Sequence, residues 1–461
     1  PGATLKRLKI GPLKTLTADE VKRISDNGDR TTITNTVNLD LLSKRTDVPL
    51  DRLTFADLKS LTNPGLNQLG FVAADITKIN AYFNPASNDP TNLNLADLQA
   101  FLADHPPIGS QRPWPRHRLD AAAWDGLIRR LQAEDWELLA LWGEPARINV
   151  ALRDALGGTI AVLSRDCPDG RYPGLGAVRP AAQRMERATQ DLVGLVSVET
   201  PDARPWLDHG QWPLRHPLGT TPGAVQAPQR PATDYAFLPV EGEGVHQTPV
   251  GPVHAGTIEP GHFRLSANGE LVVRLEQRFG YAHKGIERLM QGKTLAEAAK
   301  LAARISGDST VAHSLAFARA AEAALGVRAP PRADYLRALM AELERVANHI
   351  GDFGGICNDA AFGFLQAEAT TLREEVLRLS ARLFGHRLMM DRVVPGGVSI
   401  DLPTGEVEPL KRFAADLTHK FNRLAGIYDN KPSLLDRTIG TGSVPGYLVH
   451  RFAAGGFVGR A

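Results

Sequence analysis

Downstream of about residue 235 the chain first alternates and then turns helical. In HFRLSANGELVVRLEQRF, residues 262–279, apolar and polar side chains alternate on either side of ANGE, the mark of a β-hairpin. After it the period lengthens. In YLRALMAELERVANHI, Tyr335, Leu336, Leu339, Met340, Leu343, Val346, Ala347 and Ile350 share one broad helical face. TTLREEVLRLSARLFG repeats the pattern and stops at Gly385, a residue suited to a helix C-terminus. Upstream, WELLALWGE, RINVALRDALGGTIAVLSRDCP and LVGLVSVE alternate or run apolar between turn residues, as strands do, whereas AAQRMERATQDLVGL reads as a helix. Near the start, TADEVKRI and NLADLQAFLADH read as short helices with Thr or Asn before them as caps. The expected class is a multidomain α+β protein in which a small α+β domain precedes a helical bundle fronted by a β-hairpin.

Composition divides the chain. Residues 1–105 hold ten Asn and seven Lys, the remaining 356 only six of each, and no Lys falls between Lys78 and Lys284. Pro- and Gly-rich connectors occupy HPPIGSQRPWPRHR and RHPLGTTPGAVQAPQRPATDY. Three parts follow: an unassigned module over 1–105, an α+β domain over 112–220 and a helical domain over 221–461. A total of 461 residues, 43% hydrophobic and 23% charged, is that of a soluble globular protein of two or three domains. Net charge +2 argues against nucleic acid as a partner. No run of 18 apolar residues exists to span a membrane, and the first residues lack the apolar core of a secretory signal. Two cysteines, Cys167 and Cys357, exclude a disulfide framework and a site built from several thiolates within this sequence.

The candidate chemistry centres on LAARISGDSTVAHSLAFARAAEAALG, residues 301–326, whose front end reads R-x-S-G-x-S-x-x-x-H. Arg304, Ser306, Asp308, Ser309 and His313 could line a polar pocket, with His313 one helical turn past Ser309. Equally, the serines and the aspartate could cap a helix beginning near Val311. His283 and Glu287 stand i, i+4 and could share a proton on a helix. Glu344 sits at the edge of the buried stripe, where it is either partly desolvated and proton-active or an ordinary solvated or ion-paired glutamate. Glu259 and His262 flank a hairpin loop, and either line the same cavity or cap the turn. His209 and His216, near Trp206 and Trp212, read as packing in the connector. GLGAVR lacks the third glycine and the preceding strand of a dinucleotide loop, and neither a P-loop nor a nucleophile elbow is present.

Several blocks in order, GPVHAGTIEPGHFR, GYAHKGIERLMQGKT, RISGDSTVAHSLAFARAAE, ADYLRALMAELERVANHI and DRVVPGGV, resemble the large subunit of membrane-associated group 4 nickel–iron hydrogenases. The related D-type subunit of NADH–quinone oxidoreductase (complex I) shares this frame. CPDGRYPGLGAVRPAAQRMERATQDLVGL and WPLRHPLG resemble the C-type subunit of complex I, which is fused ahead of the large subunit in formate-hydrogenlyase-type enzymes. The resemblance spans residues 112–461. It implies cysteines at Ser306 and Ser309, and a second cysteine pair after the segment matched by GGFVGRA. A nickel–iron centre needs four soft thiolates, two of them bridging, and a serine hydroxyl is a hard, weak ligand beside them. The expectation is therefore a chain that binds no cofactor of its own and has no nickel–iron centre.

The quinone branch is altered as well. His254 matches the first histidine of that branch's H-P-x-x-H-G motif, but Ile258 stands at the second, Gly307 at the quinone-contacting tyrosine, and Met389 at a histidine beside the neighbouring cluster. Arg304 matches the arginine that approaches that cluster. His254, His283 and Glu287 by resemblance, and Glu259 and Glu344 by their positions in the pattern, are candidates for a cavity wall or proton path. The implied partners are an iron–sulfur small subunit and membrane-embedded antiporter-like subunits. A quinone is a candidate acceptor, and attachment is peripheral, on the cytoplasmic side of the membrane. The expected function is electron transfer in such an oxidoreductase complex, the alternative a non-catalytic scaffold or a coupling role.

Overall fold

The computed structural model describes residues 98–461 apart from 110, 133–135, 155–158, 220–222, 225–234, 255–259, 453 and 455–461. The helix expected over TADEVKRI and the loop holding Glu259 lie outside the described residues. The chain divides into two compact units, one of Pro1–His105, Arg129–Trp136 and Asp154–Thr159, the other of Pro106–Ile128, Glu137–Arg153 and Ile160–Ala461. In the described part of the first, helix α1 (Leu98–Ala103) presents Phe101 to Trp136 at 5.3 Å between ring centroids. The guanidinium of Arg130 lies 5.4 Å from the centres of both rings.

The α+β part is built from β1 (Arg116–Arg118), α2 (Ala121–Gln132), β2 (Trp136–Glu144), β3 (Arg147–Asp154) and β4 (Ile160–Asp166), the strands ordered β1-β4-β3-β2. β1 runs parallel to β4, and β3 antiparallel to it with Val150 opposite Leu163. Five successive residues of β3, Ile148–Leu152, are buried, so its continuous apolar run reports a strand covered on both faces. The polar member of that run, Asn149, accepts a hydrogen bond from the Ser164 hydroxyl at 2.7 Å. α2 opens on Asp120, whose Oδ1 accepts the Ala123 N–H at 2.8 Å, and buries Trp124, Leu127 and Leu131 at i, i+3 and i+7.

Next come β5 (Arg171–Pro173), α3 (Ala182–Val193) and β6 (Val196–Val198), with β5 and β6 parallel. Of LVGLVSVE, expected to be one strand, the first two residues end α3 and only Val196–Val198 is extended. Gly194, left-handed at φ 86°, separates the two. The connector contains β7 (Leu214–Arg215) and β8 (Gly223–Ala224). Strands β9 (Val245–His254), β10 (Gly261–Asn268) and β11 (Leu271–Arg278) form an antiparallel sheet ordered β11-β10-β9. The β10–β11 hairpin turns at Gly269, φ 59°, where ANGE placed it, and β9 is a third strand beyond the expected hairpin.

The helical part runs through α4 (Ile286–Met290), α5 (Leu295–Ala302), α6 (Thr310–Leu325), α7 (Pro331–Asp359) and α8 (Gly363–Phe384). After the small ribbon β12 (Val393–Val394) and β13 (Gly397–Val398) come α9 (Val407–Asp429), α10 (Pro432–Thr438) and α11 (Gly446–Arg451). α7 buries Leu336, Met340, Leu343, Ala347 and Ile350 against Leu365, Leu372, Val376 and Leu379 of α8. Each such side chain contributes roughly 1.5–3 kcal/mol of transfer free energy. A Cβ on Gly354 would stand 3.1 Å from the Cβ of Ala369, so the helices pass closely there. Tyr335, expected on the buried face, is instead 79% exposed: it lies one residue before Leu336, near the edge of the stripe. α8 stops at left-handed Gly385, φ 69°, as its sequence indicated.

Candidate functional site

The segment 303–309 is the link between α5 and α6, and side chains from four directions fasten it. α5 begins with a capping box in which Thr294 and Glu297 satisfy each other's backbone N–H groups. At the other end, the Thr310 hydroxyl donates to the Ala303 carbonyl at 2.7 Å and closes the base of the loop. Lys284 donates to the carbonyls of Arg304 and Ile305 at 3.2 and 2.7 Å, and Asn348 of α7 donates to that of Asp308 at 2.9 Å. Arg304 reaches the carbonyl of Lys300 at 2.7 Å and grips Asp391 with both of its outer nitrogens, at 2.7 and 2.9 Å. The Ser306 hydroxyl donates to Oδ1 of Asp308.

The start of α6 is capped from outside its own segment. Ser309 occupies the N-cap position, yet its side chain makes no capping bond, which corrects the expectation that the loop's own serines and aspartate cap the helix. The Glu344 carboxylate of α7 takes that role and accepts the N–H of Val311 at 2.7 Å and of Ala312 at 3.0 Å. A carboxylate there meets both the orphan donors and the positive end of the helix dipole. Burial nonetheless pushes the Glu344 carboxyl above the ordinary glutamate range. The two N–H bonds pull it down, and the nearby Asp308 charge adds to the upward push. The space beside Glu344, bounded by Asp308, Asn348 and Met389, is a cavity of about 10 Å³, at the lower limit for a single water.

Asp391 is presented by a turn with an unusual backbone. Met389 and Asp391 both lie in the left-handed region, at φ 55° and 62°, which side chains other than glycine adopt at a cost. His386 organises this turn: its Nδ1 accepts the N–H groups of Leu388 and Met390 at 3.1 and 3.2 Å. The Arg304 guanidinium beside Asp391 holds that carboxyl below the usual range.

Among the described residues, the other expected side chains make no hydrogen bond to this loop. His283 and Glu287 do not share a helix, because α4 starts only at Ile286, after Gly285 at φ 65°. His283 instead stacks on Trp212 at 4.9 Å and 19° between ring planes, and Glu287 is exposed. His313 is half-buried on α6. His254 ends β9, paired with Gly261, and Glu259 lies outside the described residues. His262 packs edge-on against Phe237 at 4.9 Å. The connector residues pack as expected, with His209 Nε2 2.8 Å from the Phe279 carbonyl and Trp206 against the Phe279 ring. Both cysteines are buried and free, their thiols pushed up by burial.

A second polar centre escaped the sequence reading. Arg337, beside Leu336 and off the apolar stripe of α7, is nonetheless only 2% exposed. It is bound to the Glu322 carboxylate and to the carbonyls of Gly397 at 3.0 Å and Val394 at 2.7 Å. Glu322 also accepts the Gly396 N–H at 2.7 Å, so the pair clamps the turn of VVPGGV onto α6 and α7. The spacing carried no signal, because Arg337 falls outside the apolar face of this helix, where solvated arginines also stand.

Residues 284–356 match the nickel-dependent hydrogenase family, and residues 361–461 match the family of the respiratory-chain NADH dehydrogenase 49 kDa subunit. These two segments of the chain are thus similar to nickel-dependent hydrogenases and to the respiratory-chain NADH dehydrogenase 49 kDa subunit. Formate hydrogenlyase subunit 5 of Escherichia coli (strain K12) is 30% identical over 304 residues, 64% of this chain and 53% of that protein. The D-type subunit of the NADH-quinone oxidoreductase of Dehalococcoides mccartyi is 31% identical over 215 residues, 46% of this chain and 58% of that protein. A solved structure of the membrane-bound sulfane sulfur reductase, an archaeal respiratory membrane complex, is similar at 22% identity and a TM-score of 0.41, covering 44% of this chain and 54% of that one. The chain spans about half the length of the curated relatives it matches. Among the described residues no helix is long and apolar enough to cross a membrane.

The side chains of this loop do not by themselves fit a nickel–iron centre, because they offer no thiolate. Two hard hydroxyls stand at Ser306 and Ser309, and one of them is already spent on Asp308. What the loop can do chemically is hold its own shape and present Arg304 as a fixed, permanently charged group.

Proposed function

We propose that this chain acts as the large-subunit homologue of a membrane-associated oxidoreductase complex of the hydrogenase and complex I type. It takes part in electron transfer beside an iron–sulfur small subunit, and it holds no nickel–iron centre of its own. Residues 112–220 act as a domain like the C-type subunit of complex I, and 221–461 as the large-subunit domain. Attachment to the cytoplasmic side of the membrane runs through antiporter-like partner subunits, and a quinone is the candidate acceptor. The observation that carries this reading is the pairing of Arg304 with Asp391 in a loop whose thiolate positions are serines: the frame is kept and the soft donors are replaced.

One observation favours a second reading, in which the protein is a scaffold or coupling element. Most of the polar groups of the loop are satisfied internally, by Lys284, Asn348, Glu344 and Asp391, and about 10 Å³ is left beside them. The native complex separates the two. It should contain iron with the small subunit and no stoichiometric nickel; nickel at one per chain would overturn the assignment. If the loop serves electron transfer, Arg304→Ala or His313→Ala lowers the rate in an assembled complex. An unchanged rate in both, with assembly intact, establishes the scaffold.

A further inference from the structure

A larger cavity lies away from the 304–309 loop, between α3, the connector and the exposed edge strand β11. Its volume is about 460 Å³, within the range of small-molecule sites. Three arginines and two carboxylates line it. Arg187 is buried and bonded to Asp202 at 3.0 Å and to the carbonyls of Arg204 and Pro205 at 2.6 and 2.9 Å. Arg204 meets Asp202 at 2.8 Å and Glu276 at 2.7 Å. Both acids are thereby consumed. Arg184 is left over: among the described residues it has no carboxylate partner, and its guanidinium lies 5.1 Å over the ring of Trp206, with Arg187 at 5.0 Å over the same ring.

The lining therefore carries one uncompensated positive charge. Arg184 stays exposed to solvent, yet partial loss of hydration and the neighbouring Arg187 charge both weaken its hold on its proton. The far wall is apolar and open. Leu275 on β11 is 56% exposed, and Phe452 is 52% exposed. Such side chains gain by covering, and nothing in the described chain covers them.

We propose that this cavity binds a small amphipathic monoanion, a carboxylate whose head pairs with Arg184 and whose apolar tail lies on Leu275 and Phe452. A single carboxylate matches the single excess charge, whereas a phosphate monoester would bring close to two. Arg is suited to the head because its planar fork pairs with a carboxylate in two-pronged fashion.

Calorimetric titration of the full chain with octanoate tests this. Octanoate binds the native protein, Arg184→Gln weakens it at least about tenfold, as expected for loss of a charge-assisted bond, and Leu275→Ser weakens it several-fold. Arg184 is exposed and Leu275 is on an edge strand, so both variants keep the fold. Inorganic phosphate, which lacks a tail, and octan-1-ol, which lacks a charge, bind much more weakly than octanoate. Absence of octanoate binding, equal binding by Arg184→Gln, or octan-1-ol binding as tightly as octanoate would overturn the site. Phosphatidylcholine vesicles with and without oleic acid assign the source. Retention that depends on both oleic acid and Arg184 identifies a bilayer fatty acid; octanoate binding without vesicle retention identifies a soluble organic acid.

Discussion

Arg304 and Asp391 meet in a two-pronged ion pair, Nη1 to Oδ1 at 2.7 Å and Nη2 to Oδ2 at 2.9 Å, across 87 residues of sequence. This contact ties the α5–α6 loop to the turn that follows α8. Both groups keep substantial exposure, 47% and 33%, so solvent screens the attraction. Arg304→Ala should therefore cost no more than about 1 kcal/mol. The Asp391 carboxyl is depressed in the folded protein, so its contribution is present above the unfolded value of 3.8 and is lost as pH falls through the folded value. Chemical denaturation of Arg304→Ala, Asp391→Ala and the double variant should show equal losses that do not add. Additive losses would contradict a shared contact.

Glu344 should behave in the opposite sense. Its folded pKa is raised, so the folded state holds the proton where the unfolded chain has released it. Stability from this group is fully present below the unfolded value of 4.5 and is lost as pH rises through the folded value. Glu344→Gln removes the titration, and its stability–pH profile should be flatter above 4.5 than that of the native chain. Glu344→Ala also strips the cap from Val311 and Ala312 and should cost about 1–2 kcal/mol. Matching pH slopes in native and Gln forms would show that Glu344 does not titrate in the fold.

The Arg337–Glu322 pair predicts a large asymmetry. Arg337→Ala leaves the Glu322 carboxylate buried without its cation and should cost about 3–5 kcal/mol by denaturant midpoint. Replacing both residues together, Arg337→Met with Glu322→Leu, should cost less than the single change. Arg337 holds the Glu322 carboxyl low, so the pair stabilises above 4.5 and fades as pH falls through the folded value. The deficit of Arg337→Ala should accordingly shrink in acid.

Gly280 marks the joint between β11 and α4. Its φ is +100°, and a Cβ would stand 2.7 Å from the Leu207 carbonyl oxygen, a backbone atom that cannot swing away. Gly280→Ala should destabilise by more than about 1 kcal/mol and expose the connector to limited proteolysis near Trp206. Unchanged protection would show that the connector packs without this close approach.

Much of the architecture follows from periodicity alone. The stripe from Leu336 to Ile350 and the stop at Gly385 set α7 and α8, and alternation around ANGE set the β10–β11 hairpin, because the spacing of apolar residues records which face an element buries. That hydroxyls stand at Ser306 and Ser309, where the resemblance implies thiolates, is likewise read from sequence. Partnership across elements is not encoded in spacing. That Glu344 caps α6, that Asp391 receives Arg304, and that Arg337 is buried all depend on how α6, α7 and α8 cross and where the turn at Met389 points. The i, i+4 interval of His283 and Glu287 misled for the same reason: it means adjacency only inside a helix, and the helix begins at Ile286, after Gly285 in the left-handed region.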